Sequence, residues 1–310
     1  MTVAVPRGRA PVLVIVLAAC ALVVAAPLVL SSYLLTLLTI TFVAALLAAS
    51  VNFLAGQVGL VSIGQAGIAG AAGYAIAWAT VRGHDLPVQL AVAFVVTLLV
   101  SAAYGVVTMR SRGIVFLMIT LALGMIVYGL ALKLATVTGG QNGLTGIRRP
   151  ALVSEVWQFY LVCAAAFGIG TLVLRQVGRS PFGLSLQGVR ESENRMSSLG
   201  YRVSTLKFGA ILISGLVAGV AGVLAVWQAE FISPSVTQFS RSALAVVMVI
   251  VGGTGTLAGP LVGAAIVVGA EFWLSTYLDR WATVLGVVFI AVVLFAPRGI
   301  MGEVEARLRP

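Results

Sequence analysis

The sequence has 310 residues, of which 60% are hydrophobic and 9% are charged. A soluble domain carries about 25% charged residues, so this composition excludes an ordinary soluble enzyme, a disordered chain and a disulfide-rich secreted module. A net charge of +10 without a basic soluble patch favours a membrane protein with cationic loops over a nucleic-acid binder. One histidine and two well-separated cysteines indicate neither a metal site nor a disulfide framework.

Apolar segments recur along the whole chain, and several reach the length of about 20 residues that crosses a bilayer. They predict an all-α polytopic membrane protein of about ten transmembrane helices in a single transmembrane domain, residues 1–310. The first segment is longer than the core of a cleavable signal peptide, which has about 7–15 residues, so we interpret it as a retained span. The predicted spans are 12–30, 33–54, 60–81, 88–109, 113–135, 157–174, 207–228, 242–252, 260–278 and 281–296.

The basic residues predict the orientation of these spans. If the spans alternate, about two thirds of the 19 lysine and arginine residues fall on the side of the N-terminus, as the positive-inside rule expects of the cytoplasmic side. Both termini are therefore predicted to be cytoplasmic. A loop at about 136–156 then lies outside, and a loop at about 175–206 lies inside. A glycine-rich phosphate loop with its lysine is absent from the sequence, so ATP hydrolysis is not expected in this chain.

The inner loop has the pattern of a short amphipathic helix over residues 184–199. Gly200 is a natural stop for this helix. Two interpretations remain open: the helix lies on the membrane surface, or it binds a partner through Glu191, Glu193 and Arg195. The positions that recur at three- or four-residue spacing are Leu186, Val189, Glu193, Met196 and Leu199.

The eighth predicted span is too short to cross the membrane as one helix. Its apolar run, residues 242–251, covers roughly half of the hydrocarbon core at about 1.5 Å per residue. Glycines and Pro260 then interrupt it, and irregular backbone at membrane depth is tolerated only against protein or water. We therefore predict a broken eighth span, with residues 252–260 forming part of an inner gate.

The remaining glycines and the few charges near span ends each have two interpretations. Small residues at spacing four usually allow close helix packing, which is the simpler explanation for residues 64–73.

Lys133, Glu230 and Glu271 lie near the outer ends of their spans, where they either snorkel to the interface or border an outer mouth. The predicted mid-span positions contain no carboxylate or histidine that would relay ions.

Several short motifs, in order between about Asn52 and Gly302, resemble the permease subunits of ABC importers for branched-chain amino acids. In that family the inner loop is a coupling helix that sits in a cleft of the ATPase. The family has alanines where this chain has Arg195 and Met196. The matching segments are 52–74, 138–147, 181–200, 231–234, 252–260 and 297–300.

The resemblance implies roles for two groups of residues. The residues implied in ATPase coupling are Arg190, Glu191, Glu193, Leu199 and Gly200. The candidates for the pathway or its gate are Asn52, Gly64, Gln65, Gly140, Asn142, Gly143, Gly252, Gly253, Gly255, Gly259 and Pro260.

The resemblance also implies a partner set and a membrane. The expected partners are ABC ATPase subunits, a second homologous permease, an extracytoplasmic substrate-binding protein and membrane lipid, but no nucleic acid. The chain is expected to be a transporter subunit and not an enzyme, with no metal or cofactor of its own, in a bacterial-type inner membrane. ATP is used by the partner ATPases. The alternatives are an ABC permease for urea or short amides and an ion-coupled secondary transporter.

Overall fold

The computed structural model describes residues 23–150, 153–277 and 299–308, together with isolated positions between 283 and 294. Throughout this described part the regular structure is helical, and extended pairing is limited to one bridge between Leu144 and Ile232. The all-α prediction is confirmed.

The helices follow one another with short connections. Residues 23–29 are also helical and precede the first complete element. The elements are α1 (Ser32–Phe53), α2 (Gln65–Val81), α3 (Leu86–Thr108), α4 (Gly113–Lys133), α5 (Ala135–Thr138), α6 (Val156–Arg179), α7 (Pro181–Glu191), α8 (Glu193–Ser198), α9 (Val203–Ala229), α10 (Phe239–Gly252), α11 (Gly259–Tyr277) and α12 (Gly299–Leu308).

Five segments in the described part are long and apolar enough to cross a membrane. α10 and the apolar part of α11 are shorter, and α2 has 17 residues. The tenth predicted span and most of the first lie outside the described residues, so the count of about ten stays a prediction. The five segments are Ser32–Val58, Leu86–Thr108, Gly113–Lys133, Val156–Arg179 and Val203–Ala229.

The core of the bundle is built around α1, α2 and α9. Leu46 on α1, Ile68 on α2 and Ala218 on α9 are at most 1% exposed. The outer helices instead present large apolar side chains, such as Ile114 on α4 and Ile169 on α6. Contiguous apolar exposure of this kind suits a lipid-facing surface, because hydrocarbon tails replace water there.

The connection between α1 and α2 is irregular and enters the bundle. A π-helical turn, Leu54–Val58, continues α1 and ends at Gly59, whose φ is 75°. Residues 59–64 are not helical, and Ile63 N–H donates to Thr120 Oγ1 on α4 at 3.2 Å. The predicted span 60–81 therefore contains a helix only from Gln65, which begins in the interior of the bundle.

The connections gather at two ends of the bundle. At the end that we call the loop face, the π-turn Leu54–Val58 meets α7 and the segment between α10 and α11. At the end that we call the opposite face, the segment after α5 meets the segment after α9. Segments that the sequence predicts on one side of the membrane are thus in contact with one another.

The predicted helix over residues 184–199 is two helices in the structure. Ser192, with φ −161° and ψ 105°, separates α7 from α8. Its hydroxyl accepts a hydrogen bond from Arg195 N–H at 3.3 Å, which caps α8. Leu199 lies beyond α8 and is 67% exposed, so it does not share the buried side of Leu186.

Candidate functional site

An ion-pair cluster anchors the inner loop on the loop face. Glu193 at the start of α8 pairs with Lys207 on α9 and, at 2.5 Å, with Arg112 at the start of α4. The Lys207 ammonium also donates to the Ser111 carbonyl at 2.9 Å, and its side chain is 1% exposed. Glu193 therefore joins three helices. The side chain is 18% exposed and its carboxylate already pairs with two cations of this chain, so the coupling role implied for Glu193 stays a prediction.

Arg190 holds α7 against the π-turn Leu54–Val58. Its Nη1 donates to the Gly56 carbonyl at 2.5 Å, and its aliphatic stem lies beside Gly59. One turn earlier on α7, Gln187 Nε2 donates to Gln57 Oε1 at 2.9 Å. These contacts join α7 to the end of α1.

The rest of the predicted coupling set lies on the surface. Glu191 is exposed, as are Leu199 and Gly200 at the end of the loop. Arg195, which lies outside that set but was considered for partner binding, is also exposed. A polar cleft of about 270 Å³ runs beside α7, with Gly59, Arg112, Glu191 and Asn194 among its lining residues. The surface available to a partner on this face therefore combines charged and polar groups with exposed apolar side chains such as Leu199.

The predicted gate residues meet at a second cluster, also on the loop face. The Asn52 carboxamide accepts from Gly255 N–H at 2.7 Å and donates to the Thr256 carbonyl at 2.9 Å. A methyl group added at Gly56 would lie 2.8 Å from Gly255 Cα, so the two backbones approach closely. One side chain thus joins the end of α1 to the segment between α10 and α11.

That segment is the break predicted for the eighth span. α10 ends at Gly252, α11 begins at Gly259, and Pro260 occupies the first turn of α11. Gly253 and Gly255 have φ values of 113° and 80°, which residues with a β-carbon rarely adopt. The chain therefore reverses direction here without a helical ladder.

Gly64 and Gln65 lie deeper, at the buried start of α2. Gln65 Nε2 donates to Ser214 Oγ at 3.1 Å, and Ser214 Oγ donates to the Ser50 carbonyl at 2.8 Å. Gln65 Oε1 has no hydrogen-bond partner within the described chain. Ser242 Oγ accepts from the N–H of Ala66 at 3.2 Å. The irregular entry to α2 is thus stabilised by hydroxyl and amide groups from α1, α9 and α10.

The remaining candidates lie on the opposite face, apart from the Asn52 cluster. Gly140 is buried and Asn142 is exposed. A methyl group at Gly143 would lie 2.1 Å from the Ile232 carbonyl oxygen. Leu144 and Ile232 exchange backbone hydrogen bonds of 2.9 and 3.1 Å. These residues fix one loop against another.

A cavity of about 380 Å³ extends from this face into the bundle between α1, α2, α9, α10 and α11. Ala66 lies at its inner end, and Ile232 forms part of its wall. Arg241 and Glu271 line it near the opposite face, at the start of α10 and the second half of α11. The loop that carries Gly143 therefore supports a wall of the cavity without lining it.

Sequence reasoning missed several of these positions. Lys207 was predicted only as one of the inner basic residues, although an ammonium within an apolar run needs a partner. Ser214 and Ser242 carried no motif, because their role depends on helix packing. Arg241 contributed only to the count of basic residues on the side predicted to be outside. Among the described residues, no cluster of His, Cys, Asp and Glu side chains is placed to hold a metal ion.

Comparison with known proteins agrees with this architecture. Residues 33–296 match the family described as branched-chain amino acid transport system / permease component. The high-affinity branched-chain amino acid transport system permease protein LivM of Salmonella typhimurium is 25% identical over 302 residues, 87% of this chain and 70% of that protein. The Escherichia coli protein of the same name is 25% identical over 319 residues, 93% of this chain and 74% of that protein.

A solved structure covers a similar extent. It is an inward-facing conformation of a transporter assigned to the metal-chelate type of ABC transporter. Its sequence is 18% identical, the match covers 85% of this chain and 87% of that chain, and the TM-score is 0.49.

Proposed function

Because the chain belongs to the family of branched-chain amino acid transport system permease components, we propose that it lines a translocation path driven by separate ATPase subunits. It is a multi-pass permease subunit of an ABC transporter for branched-chain amino acids. Its work is to provide the path and to respond to the ATPases, while chemistry on ATP takes place in the partner subunits.

The partners are assigned by side of the membrane. The loop face is cytoplasmic in this proposal, and its exposed residues Glu191, Arg195 and Leu199 contact an ATPase. The opposite face receives an extracytoplasmic binding protein, and a second permease completes the path. Both chain termini are cytoplasmic. What supports this orientation is the excess of basic residues on the side predicted to be inside.

A continuous series of contacts supports the coupling role of the inner loop. Arg190 on α7 donates to Gly56 in the π-turn, and Gly56 abuts Gly255 in the break. Asn52, one turn before Gly56, bonds the same break. A displacement of α7 by the ATPase therefore reaches the break through residues in direct contact, and this is the observation that carries the mechanism.

The break at 253–258 acts as the inner gate in this mechanism. We expect single cysteines at Thr254 and Thr256, in a chain whose Cys20 and Cys163 are replaced by alanine, to become reactive toward a water-soluble thiol reagent in one nucleotide state and protected in another. A cysteine at Val251, which is 1% exposed, is the control for a buried position. Equal reactivity at both threonines in every nucleotide state would remove the gate assignment.

The transport function is tested in vesicles that contain this chain and its cognate subunits. We expect uptake of radiolabelled leucine, isoleucine or valine that requires ATP and is lost when the ATPase is inactivated. Uptake of urea or a short amide in preference to these amino acids would favour the alternative cargo. Uptake that continues on an ion gradient with an inactive ATPase would establish a secondary transporter instead.

A further inference from the structure

The cavity on the opposite face has the dimensions and walls of a small-molecule site. Its volume of about 380 Å³ falls within the range of about 300–1,000 Å³ typical of such sites. The walls include Leu47, Val226, Leu244 and Met248, together with small residues that leave the space open. Such walls bind an aliphatic group by removing its surface from water.

Near the opposite face the cavity carries two opposite charges. Arg241 Nη1 and Glu271 Oε1 are 4.0 Å apart, and their side chains are 55% and 27% exposed. This separation is at the upper limit for a direct ion pair. Within the described part of the chain, neither the Arg241 nor the Glu271 side chain makes a shorter polar contact. Both groups therefore keep hydrogen-bonding capacity directed at whatever enters.

We infer that this cavity binds one zwitterionic α-amino acid with an aliphatic side chain, its α-carboxylate on Arg241 and its α-ammonium on Glu271. The inference rests on the proposed function, which gives the class of cargo but not where it binds. An α-amino acid carries both charges on neighbouring atoms, as this pair requires, and its side chain then extends along the apolar walls. Urea and short amides carry no charges to match the pair.

The position of the cavity fits a binding step that precedes passage through the gate. Its inner end is Ala66, in the first turn of α2. The Ser242 hydroxyl bonded to Ala66 N–H lies at that end, and the irregular segment 59–64 leads from there toward the loop face. An amino acid in the cavity is thus open to the opposite face and separated from the loop face by residues 59–64 and the break.

The charge pair is tested in the complete importer reconstituted with its cognate subunits. Glu271→Gln removes one charge at nearly constant size, and Arg241→Gln removes the other while leaving a shorter polar side chain. We expect ATP-driven leucine uptake to fall about 10-fold to 100-fold in each variant, as for loss of a charged hydrogen bond. Lys133→Gln removes a charge from an exposed residue at the opposite-face end of α4 and should leave uptake unchanged. Basal ATP hydrolysis should be similar in all three variants.

Exchanging the two charges separates substrate recognition from a purely structural ion pair. In Arg241→Glu/Glu271→Arg the ion pair is retained with its charges exchanged. The α-carboxylate and α-ammonium of the substrate must then exchange positions, while its side chain still extends along the apolar walls. That arrangement matches the mirror-image amino acid. We expect L-leucine uptake to stay low and the ratio of D-leucine to L-leucine uptake to rise. Restoration of L-leucine uptake to the original level would show that the pair is structural and overturn the inference.

Filling the cavity tests its apolar part. Ala225 on α9 lines the cavity and is exposed to it, so Ala225→Trp places an indole in the space. We expect leucine uptake to fall at least 10-fold and alanine uptake to fall less. The matched control is Val220→Trp, which is on the same helix, is 48% exposed and lies outside the cavity lining.

The results distinguish the two proposals. Absence of branched-chain amino acid uptake by the unaltered importer would overturn the proposed function. Normal uptake by the unaltered importer together with normal uptake by Arg241→Gln, Glu271→Gln and Ala225→Trp would overturn the cavity assignment alone. A second result would also overturn the cavity assignment. If mass spectrometry of the purified complex shows a bound lipid that neither leucine nor valine displaces, the cavity is a lipid site.

Discussion

Lys207 illustrates how one buried charge determines the residues around it. Its ammonium lies near the start of a 27-residue apolar helix and is 1% exposed, so it depends on Glu193 and the Ser111 carbonyl. Removal of one partner from a buried pair is costly because the other charge remains desolvated. The same carboxylate also holds Arg112, which is largely exposed and contributes less.

We therefore expect Glu193→Gln to lower the thermal midpoint of the purified protein in detergent, with a loss of up to about 3 kcal/mol in stability. Replacing the cation as well, in Glu193→Gln/Lys207→Met, should recover part of the loss because no unpaired charge remains. The control is Glu191→Gln on the exposed surface of the same loop. Equal midpoints for the two single variants would show that the Lys207 pair contributes no stability.

At the scale of single residues, the sequence indicated the important positions more successfully than it indicated the contacts that those positions make. Asn52 and the glycines of the break were assigned together from motifs, and the structure brings them within hydrogen-bond distance. The resemblance implied a coupling role for Glu193, and the structure adds ion pairs with Arg112 and Lys207 of this chain. Sequence spacing within the loop could not reveal Lys207, since that contact depends on how α9 packs beside α8.

At the scale of elements, α7 and the π-turn Leu54–Val58 behave as one unit. The turn is joined to α7 by Arg190 and by the Gln57–Gln187 hydrogen bond. π-turns interrupt the regular α-helical hydrogen bonding and are frequently found at functional sites. The position of this turn between the loop and the break is the basis of the mechanical role that we propose for it.

Arg190→Ala should separate ATP hydrolysis from transport. The variant loses the bond to the Gly56 carbonyl, so α7 no longer moves the end of α1, and we expect leucine uptake to fall about 10-fold while ATPase activity persists. Arg202→Ala removes an exposed charge from the same face just before α9 and is the control. Equal uptake by the two variants would exclude Arg190 from the series of contacts.

A pair of glycines on the opposite face gives a second test at this scale. Gly143 and Gly146 both have positive φ, but a methyl group clashes with the Ile232 carbonyl only at Gly143 and meets nothing within 4 Å at Gly146. Both alanine variants carry the cost of a positive φ, and Gly143, whose ψ is −166°, lies in a region that is essentially restricted to glycine. We expect Gly143→Ala to lower the thermal midpoint further, because the Leu144–Ile232 bridge must open. Equal midpoints would mean that this bridge is dispensable.

Element boundaries were harder to predict than element types. Apolar length identified the region of α2, but the helix starts at Gln65 because residues 59–64 find partners on other elements, such as Thr120. The predicted loop helix divides at Ser192, whose hydroxyl caps α8. In both places hydrogen bonds that compete with the helical ladder decide the boundary, and hydrophobic periodicity does not report them.

At the scale of the whole molecule, the segments separate into two ends with different chemistry. The loop face holds the Glu193 ion pairs and the glycine break, and the opposite face holds the mouth of the cavity. Segments that the predicted alternation of spans assigns to one side of the membrane are in contact with one another in the structure. The alternation could not supply the cavity, because the walls come from five helices that are distant in sequence.

Surface labelling of intact cells tests the orientation of these two ends. A cysteine at His84, in the exposed turn before α3, should react with a membrane-impermeant reagent added from outside. A cysteine at Ser198, exposed at the end of α8, should react only after the membrane is permeabilised. The opposite pattern would invert the assignment of both termini to the cytoplasm. Cys20 and Cys163 are replaced by alanine in both variants.

The partners of Lys207 also have a consequence for how the protein is made. Ser111 and Glu193 contact the Lys207 ammonium, and Arg112 pairs with the same glutamate. All three residues precede Lys207 in the chain, so they leave the ribosome before α9 emerges. A lysine inside an apolar helix resists insertion by the translocon, at a cost of about 3 kcal/mol at the helix centre and less toward its ends. The order of synthesis therefore makes the counter-charge available before Lys207 and the rest of α9 are inserted.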